Sequence, residues 1–170
     1  WRRDEFCLRC VLCLHREGWP TTSGFEIDHL IPLSEREDLK CHYPNLLYVC
    51  RRCNSLKSDL RIPDPCLVAY GDCLRVNRDG SVEALNADGR VLVGVLRLDR
   101  PERVRQRRMI LDILAQAEET GNTRQLRDWL GYPPDLDDLR RFKPPTNRRL
   151  EGIEESYFAS RERGELPEIY

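Results

Sequence analysis

The chain has 170 residues, enough for one domain, or a small domain with an appendage, around a modest core. Its 40% hydrophobic and 34% charged residues describe a globular protein, and no apolar run approaches the roughly twenty residues of a membrane span, which excludes a membrane-spanning helix. The net charge of -1 excludes any global attraction to a polyanion, so nucleic-acid contact would have to come from local patches.

Trp1-Arg2-Arg3-Asp4 has no signal-peptide character, and a cytoplasmic location is the default expectation. Met109 is the only methionine, which suggests that the sequence begins inside a longer protein. Only Lys40, Lys57 and Lys143 among the 28 basic residues are lysines; such arginine dominance fits phosphate recognition or simply GC-rich codon usage. Eight cysteines in a cytoplasmic chain argue for metal before disulfide.

In chain order, residues 1–13 read as a short helix running into a tight turn. Cys7, Cys10 and Cys13 are spaced three apart, so either Cys7 with Cys10 or Cys10 with Cys13 could form a Cys-x-x-Cys knuckle. Trp19 to Gly24 reads as loop. Phe25-Glu26-Ile27-Asp28-His29-Leu30-Ile31 alternates apolar and polar residues as a strand does, closed by Pro32. Adjacent strand residues face opposite ways, so a shared task for Asp28 and His29 requires the strand to end or bulge there.

Leu33 to Pro44 is a charged loop, Asn45 to Cys50 a second short strand, and Arg52 to Leu60 a helix stopped by Pro63 and Pro65. Cys50-x-x-Cys53 supplies a second knuckle, and two knuckles make a tetrahedral four-thiolate zinc site. Cys41, Cys66 and Cys73 are ordinary thiols in this reading, and His15 and His42 stand apart from the chemistry.

Asp28, His29 and Asn54 supply what phosphodiester hydrolysis needs. A neutral imidazole can take a proton from an attacking water, and Asp28 and Asn54 can hold one divalent cation through hard oxygens, which favour Mg2+ or Mn2+. Lys57 is placed to grip a phosphate or to lie solvated on its helix; Arg51 and Arg52 are further candidates for nucleic-acid contact.

Arg9-Cys10-Val11-Leu12-Cys13, Asp28-His29-Leu30-Ile31-Pro32-Leu33, Asn45-Leu46 and Cys50-Arg51-Arg52-Cys53-Asn54-Ser55-Leu56-Lys57 together resemble the HNH endonuclease family. The resemblance covers about residues 1–62, with Asn54 in the third signature position as in the family's HNN variant. It favours Cys10 and Cys13 over Cys7, because Leu14-His15-Arg16-Glu17-Gly18-Trp19 matches the basic, Gly-Trp-containing stretch that follows the first knuckle in the family. It further implies a ββα-metal finger with His29 as base, Asn45 orienting the imidazole through its Nδ1 hydrogen, and DNA cleavage leaving a 5′-phosphate and a 3′-hydroxyl.

Downstream, Asp79-Gly80 between two alternating runs marks a hairpin. Val91 to Leu98 is β-branched enough for a strand, yet it lacks apolar/polar alternation and its length also suits a buried helix; the resemblance to the tail of some bacterial HNH proteins, where a hairpin precedes two helices, implies helix. Arg100-Pro101 opens another helix, with an apolar stripe of Val104, Ile110, Leu111, Ile113 and Leu114. Its arginines, Arg100, Arg103, Arg105, Arg107 and Arg108, face phosphate or solvent. Short helices are expected around Leu126–Leu130 and Leu136–Phe142, and the stretch from Asn147 to Tyr170 either docks as a helix or lies loose.

The expected fold is α+β: a zinc-stapled ββα-metal core in 1–62, a hairpin plus helical extension packing on it in 63–119, and a helical or partly extended tail in 120–170. The expected activity is metal-dependent endonucleolytic cleavage of DNA, in a restriction or anti-phage setting where a partner protein would supply specificity. The competing expectation is a non-catalytic zinc-stapled module that binds nucleic acid or protein.

Overall fold

A computed structural model describes residues 1–19, 24–145 and 150–170. The loop expected across Pro20 to Ser23, and the start of the last stretch at Asn147, lie outside the described residues. The fold is α+β, with two small antiparallel sheets and helices following an N-terminal cysteine cluster.

Helix α1 (Arg2–Glu5) leads into the first knuckle. There the Leu14 N–H donates to the Cys10 carbonyl at 2.8 Å, and the turn is held at positive φ by Leu14, at 58°. Strands β1 (Phe25–His29) and β2 (Leu46–Cys50) pair antiparallel in a regular register from Phe25↔Cys50 to His29↔Leu46. Cross-strand partners share a face, so Glu26 and Asp28 point the same way as the fully buried Val49 and Leu47. Two carboxylates on the core side of a sheet require polar partners there, and helix α2 (Arg51–Lys57), starting directly after β2, supplies them. This helix stops three residues short of the expected Leu60, because Ser58 takes a φ of 44° and its N–H closes onto the Asn54 carbonyl.

The strand does end at His29, without a bulge. In the loop beyond it, Asn45 ties the two strand ends together. Its side-chain Oδ1 accepts from Ile31 N–H at 2.8 Å, its Nδ2 donates to the Ile31 carbonyl at 3.1 Å, and its own carbonyl accepts from Leu30 N–H at 2.8 Å.

After α3 (Tyr70–Cys73), strands β3 (Leu74–Val76) and β4 (Val82–Ala84) form the expected hairpin. Gly80 at its tip has φ +81°, and a Cβ there would lie 2.3 Å from the Val104 carbonyl oxygen, so only glycine lets the turn dock on the long helix that carries Val104 and Arg108. Val91 to Leu96 is helical as expected, within α4 (Ala87–Leu96), whose Asn86 cap accepts from Gly89 N–H. Leu92 and Leu96 enter one core with Cys10, Leu12, Leu47, Val49, Cys53 and Ile62, so the extension completes the interior of the N-terminal unit.

Helix α5 (Pro101–Glu119) opens with Pro101 as expected, but its buried residues are Arg103, Ile110 and Ala117, seven apart, while Leu111 is 37% exposed. The apolar stripe read from sequence missed Arg103, since a charged residue was assigned to solvent. Helix α6 (Thr123–Leu130) packs on α5. The second helix expected around Leu136–Phe142 is only a single 3-10 turn at Leu139–Arg141: the Asp138 side chain accepts from Arg140 N–H, and prolines on both sides stop propagation.

The final segment docks. Helix α7 (Tyr157–Glu162) donates its Tyr157 N–H to Asp4 Oδ2 at 3.1 Å, and Tyr170 sends its hydroxyl to the Leu8 carbonyl at 3.3 Å while the Arg16 guanidinium lies 4.1 Å over its ring. No helix among the described residues is long and apolar enough to cross a membrane.

Candidate active site

Cys10, Cys13, Cys50 and Cys53 bring their sulfurs within 4.8 Å of one another. Tetrahedral zinc with Zn–S bonds of about 2.3 Å sets its sulfurs about 3.8 Å apart; Cys13 Sγ and Cys50 Sγ stand 3.9 Å apart. The four residues fit zinc, and Cys7, exposed with its thiol directed to the Glu5 carbonyl, does not share the cluster. Burial raises the Cys10 thiol and the bond to Cys10 raises Cys13, while hydrogen bonds from Cys10 lower Cys50 and Cys53. Sulfurs packed this tightly share protons that a cation would displace.

Arg103 of α5, 5% exposed, donates through Nη2 to Cys53 Sγ at 3.5 Å. Burial opposes its charge, but the Cys53 sulfur together with Cys13 and Cys50 acts the other way and its pKa is raised. The extension therefore places a cation against the thiolate cluster, where the sequence reading had put phosphate or solvent. Arg107 is likewise structural, donating to the Gly80 carbonyl at 2.7 Å and to the Leu98 carbonyl.

The sheet face under α2 holds two cross-pairs. Asn54 Nδ2 donates to Glu26 Oε2 at 2.7 Å, and Arg51 Nε donates to Glu26 Oε1 at 2.8 Å. Those two bonds, Asn54 first, hold the Glu26 carboxyl below the usual glutamate range. With its amide nitrogen engaged, Asn54 leaves Oδ1 as its ligand atom. Two residues along β1, Asp28 Oδ1 accepts from His29 N–H at 2.7 Å, and Asp28 Oδ2 lies 3.2 Å from Lys57 Nζ. That oxygen is buried with an ion pair but no well-directed hydrogen bond, leaving lone-pair capacity for a cation.

Lys57 is fully buried, 0% exposed, which corrects both sequence expectations for it: it neither reaches an external phosphate nor lies solvated. Its ammonium lies 3.2 Å from Asp28 Oδ2, the carboxylate on that face that Asn54 and Arg51 leave unmatched, and donates to the Ser58 carbonyl at 3.3 Å.

His29 also departs from the expected arrangement. Its Nε2 lies 3.0 Å from the Lys40 carbonyl oxygen, while Asn45 spends both its side chain and its carbonyl on Leu30 and Ile31. A carbonyl can only accept, so in the neutral ring Nε2 carries the hydrogen and Nδ1 is the basic nitrogen, the reverse of the tautomer expected with Asn45 as partner. Asn45 instead shapes the loop that carries Lys40. Arg51 and Arg52 are exposed on the first turn of α2, Arg51 already bonded to Glu26.

Sequence reasoning missed Glu26, the Lys40 carbonyl and Arg103. Glu26 was within reach, as it lies two residues before Asp28 on a strand and so shares its face; a backbone carbonyl and a lone arginine fifty residues after Cys53 carried no signal.

No curated protein and no solved structure gives a significant match to the chain. Residues 7–60 match the family model described as HNH endonuclease, a span that holds both knuckles, Asp28, His29, Asn45 and Asn54.

Proposed function

We propose that the chain is a metal-dependent endonuclease that hydrolyses DNA phosphodiester bonds, with His29 as general base and Asp28 and Asn54 as ligands of one divalent cation, Mg2+ or Mn2+. The observation that carries this reading is the position of His29: it closes β1 directly after Asp28, and the Lys40 carbonyl fixes its ring so that Nδ1 is left to accept a proton. Glu26 supports the ligand assignment by fixing the Asn54 amide group through its nitrogen. Bound at these oxygens, a divalent cation would offset the charge that builds up on the phosphoryl group. The four-cysteine cluster holds zinc in a purely structural role, and the protein works in the cytoplasm, with selectivity supplied by residues beyond the finger or by a partner protein.

One observation favours a rival reading, a non-catalytic zinc-stapled binding module: the Asp28 carboxylate is paired with the buried Lys57. Nicking of supercoiled plasmid by zinc-replete protein, with Mg2+ or Mn2+ added, separates the two. Cleavage that the cation switches on supports the nuclease, and DNA binding without cleavage in either metal supports the module.

A further inference from the structure

Two distant segments meet in one cleft of 380 Å3. Arg51, Arg52, Ser55 and Leu56 of α2 form one wall, and Arg97 and Arg100, on the connection between α4 and α5, form the other. The chain as a whole is electrically balanced, with 28 basic and 29 acidic residues, and many of its surface arginines are matched by a carboxylate: Arg36 by Asp38, Arg61 by Glu35, Arg140 by Asp138 and Arg163 by Glu165. Arg52, Arg97 and Arg100 are exposed, and among the described residues their side chains have no carboxylate partner.

The connection is also rigidly placed. Leu96 and Leu98 on either side of Arg97 are 0% and 3% exposed, and the Arg100 carbonyl accepts from Arg103 N–H as α5 begins. Arg97 itself caps α4 with φ 50° and ψ 47°, the left-handed conformation in which glycine is the unstrained choice. An arginine held there presents a guanidinium at a fixed point on the cleft at the expense of backbone strain. Arg51 connects the cleft to the candidate active face, because its Nε bonds the same Glu26 that holds Asn54.

We propose that this cleft is a phosphate track for one nucleic-acid strand, in which Arg97 and Arg100 of the extension act with Arg52 to hold the backbone running on from the cleavage site. The assignment of nucleic acid, rather than another polyanion, rests on the nuclease reading. Guanidinium groups suit the role, since each offers a planar pair of N–H donors to a phosphate, and contacts of this kind position a strand without reading its sequence. The helical extension then has a second task besides completing the core: it supplies the part of the substrate grip that the finger lacks.

The test is the salt dependence of duplex binding by full-length, zinc-replete protein, in a His29→Ala background so that the DNA stays intact. Each lost phosphate contact lowers the slope of log K against log salt by about 0.9. Arg97→Gln with Arg100→Gln should lower it by about 1.8, with unchanged zinc content and melting temperature, while Arg78→Gln at the exposed hairpin tip leaves it unchanged. An unchanged slope in the double variant, with DNA still bound, overturns the track and leaves the nuclease reading standing. Absence of DNA binding by every protein overturns the track, and plasmid nicking by the parent chain then decides the nuclease reading separately.

Discussion

Lys57→Met is the most informative single change. Methionine fills nearly the same volume as the fully buried lysine, so the substitution removes the ammonium 3.2 Å from Asp28 with little cavity. What remains is a carboxylate on a side chain 11% exposed, with Oδ1 still satisfied by His29 N–H and Oδ2 facing a thioether. Removing one partner of a buried pair costs about 3–5 kcal/mol; the retained N–H bond and residual solvent contact put this case near the lower end, about 3 kcal/mol. The assay is urea unfolding at matched zinc content, with and without Mn2+. If Asp28 is a cation ligand, Mn2+ should bind the variant more tightly than the parent chain, because the competing ammonium is gone, and at a hundred times its Kd should restore about 2.7 kcal/mol. Adding Asp28→Asn to Lys57→Met should recover most of the stability and abolish the Mn2+ effect. A single variant within about 0.5 kcal/mol of the parent would refute the buried pair; weaker Mn2+ binding by the variant would refute the sharing of Asp28 between lysine and metal.

Arg103→Met should speed zinc release to a chelator and weaken zinc affinity about 10–100-fold, as loss of a bond to a ligand atom does elsewhere, with Arg103→Lys partly restoring it; unchanged release would remove Arg103 from the zinc site. Gly80→Ala forces an L residue to φ +81° and a Cβ to 2.3 Å from the Val104 carbonyl, so thermal unfolding should report a loss of about 2–4 kcal/mol, and a loss under half a kcal/mol would mean the hairpin does not dock on α5 as described. Because Glu26 has its pKa depressed by Asn54 and then Arg51, its contribution to stability is complete above the ordinary glutamate value of about 4.3 and is lost only as pH falls through the lower folded value. A carbon-13 titration of the Glu26 carboxyl should place its midpoint below that value and Asn54→Ala should move it upward; a midpoint indifferent to Asn54 would break the link between the two.

The finger was legible because its chemistry is local and typed. Cysteine pairs announce a thiolate site whatever surrounds them, alternation marked β1, and the strand had to end at His29 for the motif to make sense. Asp79-Gly80 gave the hairpin for a similarly local reason. Three of the departures are cases where a long-range partner decided the outcome. Lys57 was read as external because lysines usually are, whereas it is fully buried beside Asp28 of β1. The tautomer of His29 depends on which carbonyl a twelve-residue loop delivers, and that loop is set by the Asn45 clamp on Ile31. Arg103 was assigned to phosphate or solvent by its type, whereas the Cys53 sulfur, 3.5 Å from its guanidinium, gives it a partner inside the core. The short helix around Leu136 failed because the Asp138 side chain offers the backbone a competing turn between prolines.

The central claim is that His29 acts as the base from Nδ1. The most direct measurement is plasmid nicking by His29→Gly at matched zinc content, with and without added imidazole. The expected result is loss of nicking on substitution and its return as imidazole concentration rises, through the neutral form of the added base. Nicking by His29→Gly at the parent rate without imidazole would contradict the assignment.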